Sequence, residues 1–155
     1  MGGMIATVGA VPPAWWALDT TRQHGSGVAR ETHALRLSAV PWLRAWFAEV
    51  VDPLIQHILS HTFPVTGRLG KIVVSRIQPG KAIALHVDAE PDQDTLHRVH
   101  VPVTTNPDAR LEFPEQFRVL RARVGKAYEI NSTLPHQAVN RGCTDRVHLV
   151  FDYHY

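Results

Sequence analysis

His86 and Asp88 stand two positions apart inside the apolar run IALHVD. Along a strand, residues i and i+2 project from the same face, so an imidazole and a carboxylate are aimed at one point. Such a pair also recurs by chance, and alone it fits a solvated strand face as well as a metal site. His136 follows 50 positions after His86, within NSTLPHQAVN, and Arg146 comes ten residues after His136. Two imidazoles and one carboxylate that leave coordination positions open are the ligand set of non-haem Fe(II) oxygenases. Two further strands each carry Arg-x-His on one face, Arg98 and His100 in HRVHVPV and Arg146 and His148 in DRVHLVFDY. On solvated faces these residues need no partner. Turned inward, His86, Asp88, His136, Arg98 and Arg146 would need a divalent cation and a dianionic ligand to balance them, because unpaired buried charge is costly.

The elements that must position these groups are legible as changes of period. From about Ser38 to Ser60, residues Trp42, Leu43, Trp46, Phe47, Val50, Val51, Leu54, Ile55 and Ile58 recur at helical spacing. Ser38 suits a cap and Pro41 a first turn, while Pro53 is expected to split or kink the helix. An imperfect alternation over 28–37 precedes it and reads as an edge strand. After the helix the period becomes two: KIVVSRI (71–77), KAIALHVD (81–88), HRVHVPV (97–103), FRVLRARV (117–124), KAYEI (126–130) and DRVHLVFDY (145–153). Six or seven short strands behind one helix predict a mainly β protein, a β-sandwich or jelly-roll barrel with the helix packed on one sheet.

The chain of 155 residues, 45% hydrophobic and 19% charged, has the size and composition of one domain with a real core. Its formal charge is +2 without Lys/Arg runs interleaved with aromatics, which argues against a nucleic-acid partner. Arg121, Arg123 and Lys126 read as a solvated strand face. The single cysteine, Cys143, rules out an intramolecular disulfide and suits a reducing, cytoplasmic setting. The apolar N-terminal stretch lacks a basic flank and is broken by Pro12 and Pro13, so neither a signal peptide nor a membrane span is expected. Oligomeric state is not legible.

SRIQPGKAIALHVD, RVHVPV and YEINSTLPHQAVNRGCTDRVHLVFD resemble, in order and spacing, the aspartyl/asparaginyl β-hydroxylase family of Fe(II)/2-oxoglutarate dioxygenases, which includes bacterial free-proline hydroxylases. The resemblance implies a double-stranded β-helix with the iron near one open end. It implies a single dioxygenase domain over 1–155, an N-terminal strand and helix at 28–60, and a metal-binding core at 71–153. His86, Asp88 and His136 match the metal ligands. Arg146 matches the arginine that holds the far carboxylate of 2-oxoglutarate, with Ser75 beside it, and Arg98 and His100 match a pair that contacts the co-substrate near the metal. Because Asp88 is present, the chain is more similar to the three-ligand bacterial branch than to members with two histidines.

The implied reaction consumes 2-oxoglutarate and O₂ and releases succinate and CO₂. It hydroxylates an unactivated C–H of a small-molecule amino acid or a peptidyl Asp/Asn-like residue. Arg30, His33 and Arg36 in the early strand, with the loop AEPDQDT, are the candidates for substrate contact. Two other classes use the same ligands: a cupin-type Zn(II) or Mn(II) isomerase or hydrolase, and a non-catalytic metal-binding module of the same fold.

Overall fold

The computed structural model describes residues 32–36, 47–63, 66–88 and 96–155. Arg30, the first part of the expected helix at 38–46, and the loop at 89–95 lie outside the described residues.

A π-helical turn, Phe47–Val51, leads into helix α1, Asp52–Thr62. Pro53 occupies the first turn of α1, where its missing N–H has no intrahelical acceptor to lose. The change from π-helical to regular α-helical turns falls beside the proline, at Asp52, where the sequence led to the expectation of a split or kink. Leu54, Ile55 and Ile58 form the buried stripe of α1.

Nine strands follow the chain order among the described residues: β1 (Thr32–Arg36), β2 (Arg68–Ile77), β3 (Ala82–His86), β4 (Leu96–Thr104), β5 (Ala109–Phe113), β6 (Arg118–Leu120), β7 (Tyr128–Ile130), β8 (His136–Asn140) and β9 (Arg146–His154). They form two antiparallel sheets, a larger one ordered β1-β2-β9-β4-β7 and a smaller one ordered β3-β8-β5-β6. This is the double-stranded β-helix, or jelly roll, with a helix on the larger sheet. β1 lies at that sheet's edge, as its weak alternation suggested.

Two cores flank the larger sheet. Val74, Val99, Val101, Val147, Leu149 and Phe151 pack with Leu54, Ile55 and Ile58 of α1. Ile77, Leu111, Ile130 and Ala138 fill the space between the sheets, joined by Ile83, Phe113 and Leu120. β4 and β9 are thus covered on both faces. Their Arg-x-His faces are not solvated; Arg98, Arg146 and His148 are buried.

Three expectations need correction. The strand carrying His86 ends there, and Asp88 lies two residues beyond it, where its backbone N–H bonds to the Ser132 carbonyl at 3.1 Å. The strand expected over 117–124 shrinks to Arg118–Leu120, because Phe117 sits in the left-handed region at φ 51° and Gly125 turns the chain at φ 85°. Arg121, Arg123 and Lys126 are exposed, but on the connection rather than on a strand. Among the described residues, no helix is long and apolar enough to cross a membrane.

Candidate metal centre

β3 pairs with β8 so that His86 stands directly opposite His136, which closes 50 residues of sequence separation into one cross-strand pair. Their ring centroids are 4.4 Å apart. Each ring is oriented by the same local device. Nδ1 of His86 lies 2.8 Å from the Ala84 carbonyl, and Nδ1 of His136 lies 2.8 Å from the Leu134 carbonyl. A carbonyl only accepts, so each Nδ1 carries the proton and each Nε2 offers a lone pair. Burial lowers the pKa of His136 despite the opposing hydrogen bond to Leu134, which keeps that lone pair free at neutral pH.

Both Nε2 atoms face the Asp88 carboxylate, His86 at 3.6 Å and His136 at 3.7 Å. One ligating atom from each of the three residues lies within 4.8 Å of the other two. A divalent ion with bonds of about 2.1 Å holds neighbouring donors roughly 3 Å apart, so a small closure would complete the set. The side chains grade from 5% exposed at His136, through 23% at Asp88, to 37% at His86, which puts the trio at an open mouth. Phe113 packs against the His136 ring on the inner side.

Arg98 joins this trio to the larger sheet. It lies opposite Asp152 in the β4–β9 register, and the two form a bidentate ion pair, Nε to Oδ1 and Nη2 to Oδ2, both at 2.7 Å. Its Nη1 donates to Oδ2 of Asp88. Burial opposes the charge of Arg98, yet the hydrogen bond to Asp152 and the charges of Asp88 and Asp152 outweigh it and raise its pKa. Asp152 was not among the candidate residues, although it continues the parity Arg146, His148, Val150, Asp152 along β9.

Arg146 is the contrasting cation. It is 2% exposed, and among the described residues no carboxylate pairs with it. Its Nη2 donates to Nδ1 of His148 at 3.1 Å. Desolvation draws its pKa down to about 10. Because the guanidinium can only donate, His148 Nδ1 accepts and the His148 proton sits on Nε2. Among the described residues that buried Nε2 has no partner, and neither does Nδ1 of His100. Both imidazoles are held neutral, first by burial and then by the charge of Arg146.

The His100 and His148 rings meet edge to face at 5.8 Å, and buried Ser75 lies opposite His148 in the β2–β9 register. Arg146, His100 and His148 line a narrow cavity closed by Ala109, Leu111 and Leu120. Arg110 lines the same cavity, so the Arg146 cation, beside a second guanidinium and two neutral imidazoles, is chemically incomplete until an anion joins it.

Asn140, which the sequence marks only by following the distal histidine, is 1% exposed and organises the β8–β9 turn. Its Nδ2 donates to the carbonyls of Ile77 at 2.9 Å and Thr144 at 2.8 Å. Its Oδ1 accepts from Asn106 at 3.0 Å and from the Gly142 N–H at 3.2 Å. Gly142 is required there, since any Cβ would collide with the Asn106 amide. The turn delivers Arg146 to the start of β9. Of the substrate candidates, His33 and Arg36 fall on β1 opposite Arg76 and Val73, and Arg30 lies outside the described residues.

Solved structures with a similar fold include oxygenases. The nickel complex of the non-heme monooxygenase ThoJ shares 14% identity at a TM-score of 0.64, covering 99% of this chain and 69% of its own. A 2OG-Fe(II) oxygenase-family oxidoreductase from Burkholderia pseudomallei shares 14% identity at 0.59, with 79% and 67% covered. The viral collagen prolyl hydroxylase of Paramecium bursaria Chlorella virus-1, in its 2OG complex, shares 12% identity at 0.55, with 81% and 80% covered. Comparison with curated protein sequences finds no match. Residues 50–154, which span α1, the paired histidines and the buried arginines, match the Aspartyl/Asparaginyl beta-hydroxylase family, and the chain belongs to that family.

Proposed function

We propose that the protein is an Fe(II)/2-oxoglutarate-dependent hydroxylase, a single domain over residues 1–155 with its metal-binding core at 71–153. The observation that carries this reading is the pairing of two incomplete sites in one barrel. The first is the His86, Asp88 and His136 donor set, whose ligating atoms converge within 4.8 Å of one another. The second is the Arg146 guanidinium, buried without a carboxylate among the described residues. A metal-binding dicarboxylate completes both, as 2-oxoglutarate would. A cupin-type Zn(II) or Mn(II) isomerase or hydrolase has no use for the second.

The donor chemistry fits iron: His86 and His136 would offer neutral Nε2 atoms and Asp88 a carboxylate, a set that would leave coordination positions open for a co-substrate. When bound, Fe(II) with 2-oxoglutarate and O₂ supplies the oxidising chemistry that yields succinate, CO₂ and a hydroxylated product. The chain's own contribution is binding, orientation and exclusion of water. The carbonyls of Ala84 and Leu134 fix the two tautomers. Arg146 presents a fork that matches a carboxylate, which is stronger and more directional than a lysine point charge. His148 offers its Nε2 proton beside that fork, with His100 and Ser75 as further polar contacts. The apolar wall of Ala109, Leu111 and Leu120 keeps water from the anchor. No side chain is needed as a general base.

For the substrate we propose an amino acid or a peptidyl Asp/Asn-like residue in the cytoplasm, held by Arg30, His33 or Arg36. The exposed lone thiol of Cys143 fits a reducing compartment. The test is succinate formation from 2-oxoglutarate with Fe(II), ascorbate and a panel of amino acids and peptides. Succinate above the background of the His86→Ala variant supports the proposal. Protein that binds metal but forms no succinate, coupled or uncoupled, would favour the cupin-type enzyme or the non-catalytic module.

A further inference from the structure

Arg98 carries five N–H donors in a rigid plane. Asp152 takes two of them as a fork, and a third reaches Asp88. The two forked side chains are sealed, 6% exposed at Arg98 and 5% at Asp152. They are direct cross-strand neighbours on the inner face of the larger sheet. Asp88 follows β3 of the other sheet, two residues past the strand's end. The link Asp152–Arg98–Asp88 therefore spans the barrel and holds a carboxylate that no strand ladder holds.

We propose that Asp152 is a positioning residue for the metal centre, acting through Arg98 to aim Asp88 and to cancel the charge that Arg98 brings beside the ion. The inference rests on the metal reading above. Its logic is electrostatic as well as geometric. A bare guanidinium beside Asp88 would compete with a divalent cation for that carboxylate and would repel the cation across a poorly solvated gap. The fork from Asp152 makes the brace close to neutral as seen from the metal, and it fixes the plane from which Nη1 points. Asp88 then keeps its full negative charge for the ion. Outer partners of metal ligands commonly govern affinity by this kind of support.

The test is Co(II) titration of the full-length protein, followed by visible absorption and calorimetry, on wild type, D152N and R98M/D152N. D152N keeps the shape and removes the charge, so Co(II) affinity should fall roughly 10–100-fold while the circular dichroism of the metal-free protein is unchanged. R98M/D152N removes the uncompensated cation together with its partner and should bind Co(II) more tightly than D152N, though less tightly than wild type. A merely structural role for Asp152 would not give that recovery. The inference is overturned if D152N binds Co(II) within twofold of wild type, or if the double variant is weaker than D152N. Should D152N fail to fold, the double variant carries the test alone: folded with at least tenfold weaker Co(II) binding supports the inference, and wild-type affinity refutes it. Wild-type protein that takes up no Co(II) would remove the metal reading itself and this inference with it.

Discussion

Replacing Arg146 by methionine should stabilise the metal-free protein and weaken 2-oxoglutarate binding. Both signs follow from one fact, a guanidinium buried without a counter-charge among the described residues. Desolvation draws its pKa from the ordinary arginine range down to about 10. For a base, a folded-state pKa below the unfolded one means that folding penalises the charged form. The penalty is present in full below about pH 10 and fades as pH rises from there through the ordinary arginine range. At pH 7 the shift corresponds to about 3 kcal/mol. Methionine fills much of the arginine stem's volume, so most of that penalty should return as stability, less a fraction for lost packing. The expected gain is about 1–3 kcal/mol. The ligand side runs the other way. Losing two charge-assisted hydrogen bonds at about 1.5–3 kcal/mol each should raise the 2-oxoglutarate Kd by roughly 10²–10⁴-fold. Urea unfolding of the metal-free protein reads the first effect, and calorimetric titration with 2-oxoglutarate in the presence of Mn(II) reads the second. A variant that is less stable than wild type and binds 2-oxoglutarate within twofold of it would refute the reasoning.

Three other outcomes are expected. Metal-free protein should lose stability as pH falls below about 6.5, because His100 and His148 stay neutral when folded but protonate when unfolded. Each contributes up to about 1.4 kcal/mol per pH unit, so the pair should cost about 3 kcal/mol between pH 7.5 and 5.5 in urea unfolding. A flat stability profile over that range would contradict their burial as neutral groups. Asn140→Ala removes an amide that serves the carbonyls of Ile77 and Thr144. It should destabilise by about 1–3 kcal/mol, since the Ile77 carbonyl loses its side-chain donor while the Thr144 carbonyl keeps the Asn106 amide. Thermal unfolding unchanged within 2 °C would show the turn to be held otherwise. His136→Ala should abolish Fe(II) uptake measured by equilibrium dialysis, while the far-UV circular dichroism stays that of the wild type.

His86 is legible because strand parity and residue type point the same way, and His136 by its type and spacing, while the register that pairs the two belongs to the fold. Asp88 was found by the same parity but for an inexact reason: the strand stops at His86, and Asp88 reaches the trio from the segment beyond. Its hold therefore depends on Arg98 and on the Ser132 carbonyl, which are tertiary facts. The fork of Arg98 onto Asp152 is not legible in the sequence, because a cross-strand partner is decided by register, and register is not written in either strand alone. The same limit hid Asp152 itself, whose place on the inner face could be counted but whose partner could not. β5 was passed over although ARLEF alternates cleanly, since it is short and lies between Asp108 and Pro114. β8 begins directly after Pro135, inside a stretch rich in turn residues, and was seen only as the source of a distal histidine. The lone cation at Arg146 needed the whole fold: DRVHLVFDY shows an arginine, and only the packed barrel shows that no carboxylate among the described residues answers it.

The central claim is that one barrel mouth holds a metal on His86, Asp88 and His136 with a dicarboxylate running inward to Arg146. A crystal structure of the protein soaked anaerobically with Mn(II) and 2-oxoglutarate tests it most directly. The account predicts one ion about 2.1–2.2 Å from both Nε2 atoms and from Asp88, with the distal carboxylate of 2-oxoglutarate forked on Arg146 and within reach of His148 Nε2. An ion bound away from this trio, or 2-oxoglutarate seated without contact to Arg146, would contradict it.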